Sequence, residues 1–221
     1  MELYEVMRTT FACREFTGEP VPEDVLHRII DNARFAPSGG NRQGWRIIEI
    51  KNPTLKHSLA DLSLPAATRY ILEMQAGESP FNTVNASSVS DQQVAAAEPP
   101  DWFVEYIRHA PTLLVVTVDL ALVASMDKDL DRVGLVSGGS IYPLVWNILL
   151  AARNEGYAGT ITTMAARREP QVLEMLGIPA GWGVAAVIPL GKPVKQLSKL
   201  KRKPVQEIFF TDSWDGGAPD M

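Results

Sequence analysis

Seven consecutive residues, Thr112-Leu113-Leu114-Val115-Val116-Thr117-Val118, carry neither charge nor glycine nor proline. Such a run lacks the alternation of a strand with one wet face, so it reads as a central strand of a sheet. Two further runs read as strands: Arg46 to Ile50, and the longer Trp182 to Gly191. Helical spacing fills much of the rest. Leu3, Val6 and Met7 give residues 2–8 an apolar side. Pro22 opens a helix with Glu23 and Asp24 in its first turn, where the helix dipole favours acids. Val25, Leu26, Ile29, Ile30 and Ala33 then recur at helical spacing. Asn52-Pro53, an N-cap followed by proline at the first helical position, starts a helix expected to run to about Leu62. Ile141 to Ala152 reads as a helix apolar on much of its circumference, which belongs in a core or a subunit interface. Glu169 and Pro170 open a short helix to Leu176, ended by Gly177 and Pro179.

Bulk properties narrow the function classes. The net charge of −5 argues against a sequence-independent binder of nucleic-acid backbone, which needs a basic surface. The single cysteine, Cys13, excludes an intrachain disulfide framework and fits a reducing compartment. The acidic start Met1-Glu2-Leu3-Tyr4-Glu5 lacks the pattern of a signal peptide, and no apolar run reaches the roughly 18 residues of a membrane span. A soluble, cytoplasmic protein is expected, with neither a membrane nor a nucleic acid as partner.

Residues 63 to about 101 hold no single period, because glycine, proline, asparagine, serine and glutamine dilute the apolar positions. A connection of that length is functional, mobile or both. Trp102, Phe103, Tyr106 and Ile107 follow at i, i+1, i+4, i+5 spacing. They read either as the core face of one helix or as aromatics of a lid that line a substrate pocket. After the last strand the chain turns basic, with Lys192, Lys195, Lys199, Lys201, Arg202 and Lys203, and an apolar-aromatic segment spans 205–214. Gly216-Gly217-Ala218-Pro219 is expected to fray.

Several chemistries are absent. His27, His57 and His109 show no i, i+3 or i+4 pairing, so a dedicated metal site is not expected. No Gly-x-Ser-x-Gly elbow and no Gly-x-Gly-x-x-Gly after a strand occurs. The glycines and serines of 133–140 lack the Gly-Lys-Ser/Thr ending of a phosphate loop. What stands out is Ala36-Pro37-Ser38-Gly39-Gly40-Asn41-Arg42-Gln43-Gly44-Trp45, a polar loop between a helix and a strand. Pro37 breaks the helix, Gly39-Gly40 permits close backbone approach, and Ser38, Asn41 and Gln43 offer donors and acceptors to a planar polar ligand. Arg8 and Arg14, a threonine-rich turn at 160–163, and Arg202 complete a set of anion-binding and planar-ligand elements. A ligand with a phosphate tail and a flat heteroaromatic ring uses such a set.

In order and spacing, Arg14-Glu15-Phe16, then Ala36-Pro37-Ser38, Asn41, Gln43 and Trp45, then Gly156 to Thr163, and last Arg202-Lys203-Pro204, the chain resembles the FMN-dependent nitroreductase family over nearly its whole length. The resemblance implies an α+β fold, with a central, mostly antiparallel sheet flanked by helices, in an intertwined homodimer. It implies one domain over 1–221, with 63–107 the variable lid or substrate region and 193–215 an extension contacting the partner subunit. FMN would lie at the interface, touching both chains. Pro37, Ser38, Asn41 and Gln43 would line one side, and Ile161, Thr162 and Thr163 would meet the flavin near N5. Arg14 would reach the ribityl chain or the N1–C2=O edge, and Arg202 the phosphate. The family's arginine or histidine before position 12 is Phe11 here, its serine is Ala12, and its proline before the tryptophan is Gly44. Arg8 would then compensate at the phosphate. The implied activity is hydride transfer from NADH or NADPH through flavin to a nitroaromatic or quinone, with Trp102, Phe103 and Tyr106 near the acceptor. No side-chain acid or base is implied, and Arg14 stabilises the reduced flavin. Reductive dehalogenation, flavin fragmentation on the same scaffold, and a flavin carrier or sensor without turnover are the competing readings.

Overall fold

The run at 112–118 is the second strand of a four-stranded sheet, in a computed structural model that describes residues 1–217. The expected frayed end at 216–219 lies partly outside those residues. In chain order the elements are α1 (Leu3–Thr9), α2 (Glu23–Ala33), β1 (Trp45–Glu49), α3 (Pro53–Gln75), α4 (Asp91–Ala96) and α5 (Glu105–Arg108). They continue with β2 (Thr112–Asp119), α6 (Tyr142–Asn154), β3 (Ala158–Gly159), α7 (Glu169–Leu176) and β4 (Trp182–Gly191). The strands lie in the order β1-β2-β4-β3, every pair antiparallel. The α+β class expected from the resemblance is therefore the class observed.

Both faces of β2 are covered, which is why its sequence does not alternate. Leu114, Val116 and Val118 point to one core with Ala186, Ile188 and Leu190 of β4, beneath α2 and α6. Leu113 and Val115 point to the other, with Val187, beneath α3, α5 and α7. The pairing shifts between Val116 and Thr117, where Ala185 is the extra residue on β4. Side chains on the two sides of a bulge lie out of step, so Val184 lies in the second core although Ala186 lies in the first.

One helix differs from its expected length. The segment from Asn52 does not end near Leu62 but continues to Gln75, with Pro65 inside it. Proline removes one backbone bond. Here the side chains of Ser63 and Thr68 bond back to the carbonyls of Leu59 and Leu64. The small residues Ala66 and Ala67 are buried, and Arg69 pairs with Glu73 one turn on. Tertiary burial holds the end of this helix, where apolar periodicity is weak. The aromatic segment also differs from a single helix: a 3₁₀ turn at Asp101–Phe103 and α5 meet at Val104, outside the helical region at φ −113°. No helix among the described residues is long and apolar enough to cross a membrane.

Candidate functional site

At the β3 edge of the sheet the chain makes a sharp entry. Gly156 (φ +86°) turns it out of α6, and Ala158–Gly159 pairs with Leu190 and Gly191. A Cβ on Gly159 would meet the Pro189 carbonyl oxygen and a Leu190 methyl at 2.5 Å, so only glycine fits between these strands. Three residues on, Thr162 exchanges two hydrogen bonds with Val187, at 3.0 and 2.8 Å. Backbone groups alternate in direction along an extended chain, so the flanking N–H groups of Ile161 and Thr163 face away from β4. Neither meets an acceptor among the described residues. The same glycine receives the N-terminal segment: Ala12 bridges it in parallel, and the Cys13 N–H donates to the Gly159 carbonyl at 2.9 Å. That contact carries Arg14 to the Thr162 turn.

Arg14, Ile161, Thr162 and Thr163 line a cleft of about 440 Å³, with Ala66, Tyr70, Phe81, Phe103, Tyr106, Met164 and Arg167 as the rest of its wall. The Arg14 guanidinium lies 5.5 Å from the centre of the Tyr106 ring and forms no ion pair among the described residues. Of the three aromatic candidates, Phe103 and Tyr106 line the cleft. Trp102 does not: it is 70% exposed and meets Phe103 edge-on. The core side of that segment is carried instead by Val104 and Ile107, both fully buried. Cys13 beside Arg14 is buried, and desolvation raises its thiol pKa, which disfavours the thiolate.

The polar loop at 36–45 lies elsewhere. Asn41 (φ +53°) and Gln43 (φ +50°) both sit in the left-handed region, and Gly40 beside them at φ +62°. The loop is tied down from inside: the Ser38 hydroxyl accepts from the Gln43 N–H at 3.0 Å, and the Gln43 amide donates to the Asn41 side chain at 3.1 Å. From outside, the Gly39 N–H donates to Ser140. Pro37, Asn41 and Gln43 are exposed. Gly44 has a steric reason for replacing proline, because a Cβ there would stand 2.8 Å from that of Leu122. This loop feeds β1, at the far edge of the sheet from Thr162. Three strand spacings of about 4.8 Å separate the two, roughly 14 Å before any offset along the strands. None of Pro37, Ser38, Asn41 and Gln43 lines the Arg14 cleft of its own chain.

Arg8 and Arg202 are exposed and do not line the cleft; among the described residues Arg202 donates to its neighbour's carbonyl, on Lys201. The extension beyond β4 is fastened at its start, where Val194 N–H donates to Glu15 and Gln196 to Thr9. Farther on, Ile208, Phe209, Phe210 and Trp214 are exposed on their own chain. Sequence reading missed Tyr70, Phe81 and Arg167. Tyr70 lies on the unforeseen half of α3, and Phe81 is an isolated aromatic in a polar stretch. Arg167 offered one signal, its place just after the Thr162-Thr163 turn.

Comparison with known proteins places this geometry among relatives. A profile described as the Nitroreductase family matches residues 7–192. Human iodotyrosine deiodinase 1 is 27% identical over 212 residues, which cover 95% of this chain and 68% of that one. A crystal structure of oxidized iodotyrosine deiodinase bound to FMN and 3-iodo-L-tyrosine superposes with a TM-score of 0.66 at 20% identity, over 92% of this chain and 96% of that one. The NADPH:FMN oxidoreductase of Vibrio harveyi complexed with NAD+ superposes with a TM-score of 0.69 at 18% identity, over 96% and 77%.

Proposed function

The chain belongs to the nitroreductase family, and from that premise we propose that it is an FMN-dependent oxidoreductase acting as a homodimer on an electron-poor small molecule. The observation that carries this reading is the pairing of Arg14 with two unengaged amides, Ile161 and Thr163, on an aromatic-walled cleft. Those groups fit a flat heteroaromatic that gains negative charge. The guanidinium stabilises an anionic ring edge, the N–H groups donate to ring acceptors, and Tyr106, Phe103 and Met164 keep water away. Bound there, FMN supplies hydride storage between NADH or NADPH and an acceptor of nitroaromatic or quinone type. No carboxylate or histidine lines the cleft among the described residues, and in this reading the chain contributes position and charge.

The second half of the cofactor's contacts comes from the partner subunit in this reading. The Ser38–Gln43 loop is pre-shaped, exposed and roughly 14 Å across the sheet from the Thr162 turn. A two-fold pair lets the loop of one chain complete the cleft of the other. Arg8 and Arg202, both exposed, are the cations available to the phosphate where Phe11 and Ala12 replace the family's polar residues. The lid over the cleft is the 63–107 region, and the extension at 193–215 covers the partner.

Purified protein should be yellow, or become so with added FMN, and anaerobic NADH or NADPH should bleach it. A colourless protein that ignores FMN removes the proposal. A flavin that neither reduced nicotinamide bleaches leaves a carrier or sensor. A second enzymatic reading, reductive dehalogenation of an aromatic, is favoured by the 27% identity to iodotyrosine deiodinase 1 over 95% of the chain. Halide release from an iodinated phenol by the chemically reduced protein, without nitroaromatic reduction, would select it.

A further inference from the structure

With the cofactor in the Arg14 cleft as proposed above, we infer that Arg167 and Phe81 form the acceptor subsite, and that the acceptor it selects is an aromatic carrying a single anionic group and no cationic one. Arg167 lies in the 3₁₀ turn that follows the Thr162-Thr163 contact, and lines the same cleft as Arg14. Its guanidinium stands over the Phe81 ring, 5.8 Å from the centroid. Its one ion-pair contact among the described residues is long, 3.8 Å, to Asp91, a carboxylate 90% exposed and held mainly by Arg69. The cleft thus has two guanidinium–aromatic pairs, Arg14 on Tyr106 and Arg167 on Phe81, and no acid in its lining.

The acids nearby are engaged in holding the lid. Glu73 accepts from Arg69 and from the Phe81 N–H, and Glu78 accepts from Ser87 and Ser88. Glu73 is 3% exposed and Arg69 8%, so this clasp is closed to solvent. Arg69 also donates to the Val89 carbonyl and to Asp91, which fixes the far end of the same loop. Phe81 itself is held at φ +54°, a conformation disfavoured for a side chain of its size. The loop is fastened at both ends so that one strained aromatic overhangs the cleft beside a cation without a close partner. An aromatic ring stacked on Phe81 places a carboxylate or comparable anion at Arg167. The carboxylates beside Arg167, those of Asp91, Glu73 and Glu78, already accept from Arg69 or from the loop's own donors, so an ammonium competes with those contacts and a zwitterionic amino acid is disfavoured.

Binding and turnover test this separately. Benzoate, benzamide and L-tyrosine are titrated into the protein by calorimetry, and 4-nitrobenzoate is compared with 4-nitrobenzamide as acceptor for the FMN-loaded enzyme. Benzoate should bind about tenfold or more tightly than either other probe, the effect of one charge-assisted contact. Arg167→Gln should lower kcat/KM for 4-nitrobenzoate about tenfold more than for 4-nitrobenzamide, and Arg167→Lys should recover part of the difference. Phe81→Leu should weaken both acceptors together, through lost stacking. Equal binding of benzoate and benzamide, or an Arg167→Gln loss shared equally by both acceptors, overturns the subsite. So does tighter binding of L-tyrosine than of benzoate. If the protein takes up no flavin, the oxidoreductase reading fails, yet the calorimetric preference still decides the anion site.

Discussion

Gly159 fixes the candidate site through what it lacks. Without a Cβ it lets β4 and Leu149 of α6 approach closely, while its carbonyl accepts from the Cys13 N–H and so sets Arg14 beside the Thr162 turn. Arg14 is the side chain that this arrangement presents to the cleft. It is exposed, stacked on Tyr106 and unpaired among the described residues, so its removal costs the apoprotein little. Loss of a charged hydrogen-bond donor to an anionic ligand costs about 1.5–3 kcal/mol. Arg14→Ala should therefore weaken FMN binding roughly tenfold to hundredfold and slow flavin reduction, while the thermal midpoint of the apoprotein stays within about 2 °C. Fluorescence titration of FMN into both proteins measures the first effect. Unchanged affinity together with an unchanged reduction rate would remove Arg14 from the site.

At the scale of elements, the loop after α3 has a titratable fastening. Burial raises the Glu73 pKa, but the Phe81 N–H and Arg69 outweigh that and hold it below the ordinary 4.5. A carboxyl depressed in the folded state stabilises above its unfolded pKa, and the contribution is lost as pH falls through the folded value. The clasp should therefore be intact at neutral pH and loosen only as pH falls below the ordinary carboxyl value of 4.5 and through the lowered folded one. Hydrogen exchange read residue by residue should show amides 78–90 losing protection first, ahead of β2 and β4. Glu73→Gln should produce the same loosening at pH 7. Uniform loss of protection across lid and sheet would mean that the clasp does not act locally.

The lid also marks where sequence reading stopped. The strands at 112–118 and 182–191 were legible because burial on both faces writes an unbroken apolar run. The Asn52-Pro53 start was legible because a helix N-terminus has local chemistry. The continuation of α3 past Pro65 was not, since small buried residues and two side-chain back-bonds replace periodicity there. Arg14, Ile161, Thr162 and Thr163 could be named from motif spacing and do converge on one cleft. Tyr70 reaches that cleft from the unforeseen half of α3 and Arg167 from the 3₁₀ turn after Thr163, while Phe81 reaches it through a loop whose path is set by Arg69 and Glu73, two charges that read from sequence as surface residues. The Pro37–Gln43 loop was equally legible, but its distance from Thr162 across the sheet is a property of topology, which no local pattern carries.

That distance sets the scale of the whole molecule. Two pre-shaped half-sites on opposite edges of one sheet have a use if a second copy brings them together. The chain exposes the apolar surface such a contact requires. Tyr142 and Trp146 of α6 are 42% and 40% exposed, near exposed Leu120 and Leu135 around a shared hollow. Ile208, Phe209, Phe210 and Trp214 of the extension project beyond their own core. A permanent interface buries on the order of 2,000 Å² or more, and tryptophan is among the residues that carry most of its energy. A buried unpaired carboxylate at such a place costs several kcal/mol, on the order of the pairing energy itself. Light scattering should find the native chain as a dimer at micromolar concentration, and Trp146→Asp should shift it to monomer. Because each cleft would then lack the partner's Ser38–Gln43 loop, the monomer should bind FMN at least tenfold more weakly although Arg14 and the Thr162 turn are untouched. A Trp146→Asp monomer that keeps native FMN affinity would show that one chain suffices, and the loop at 36–45 would need another role.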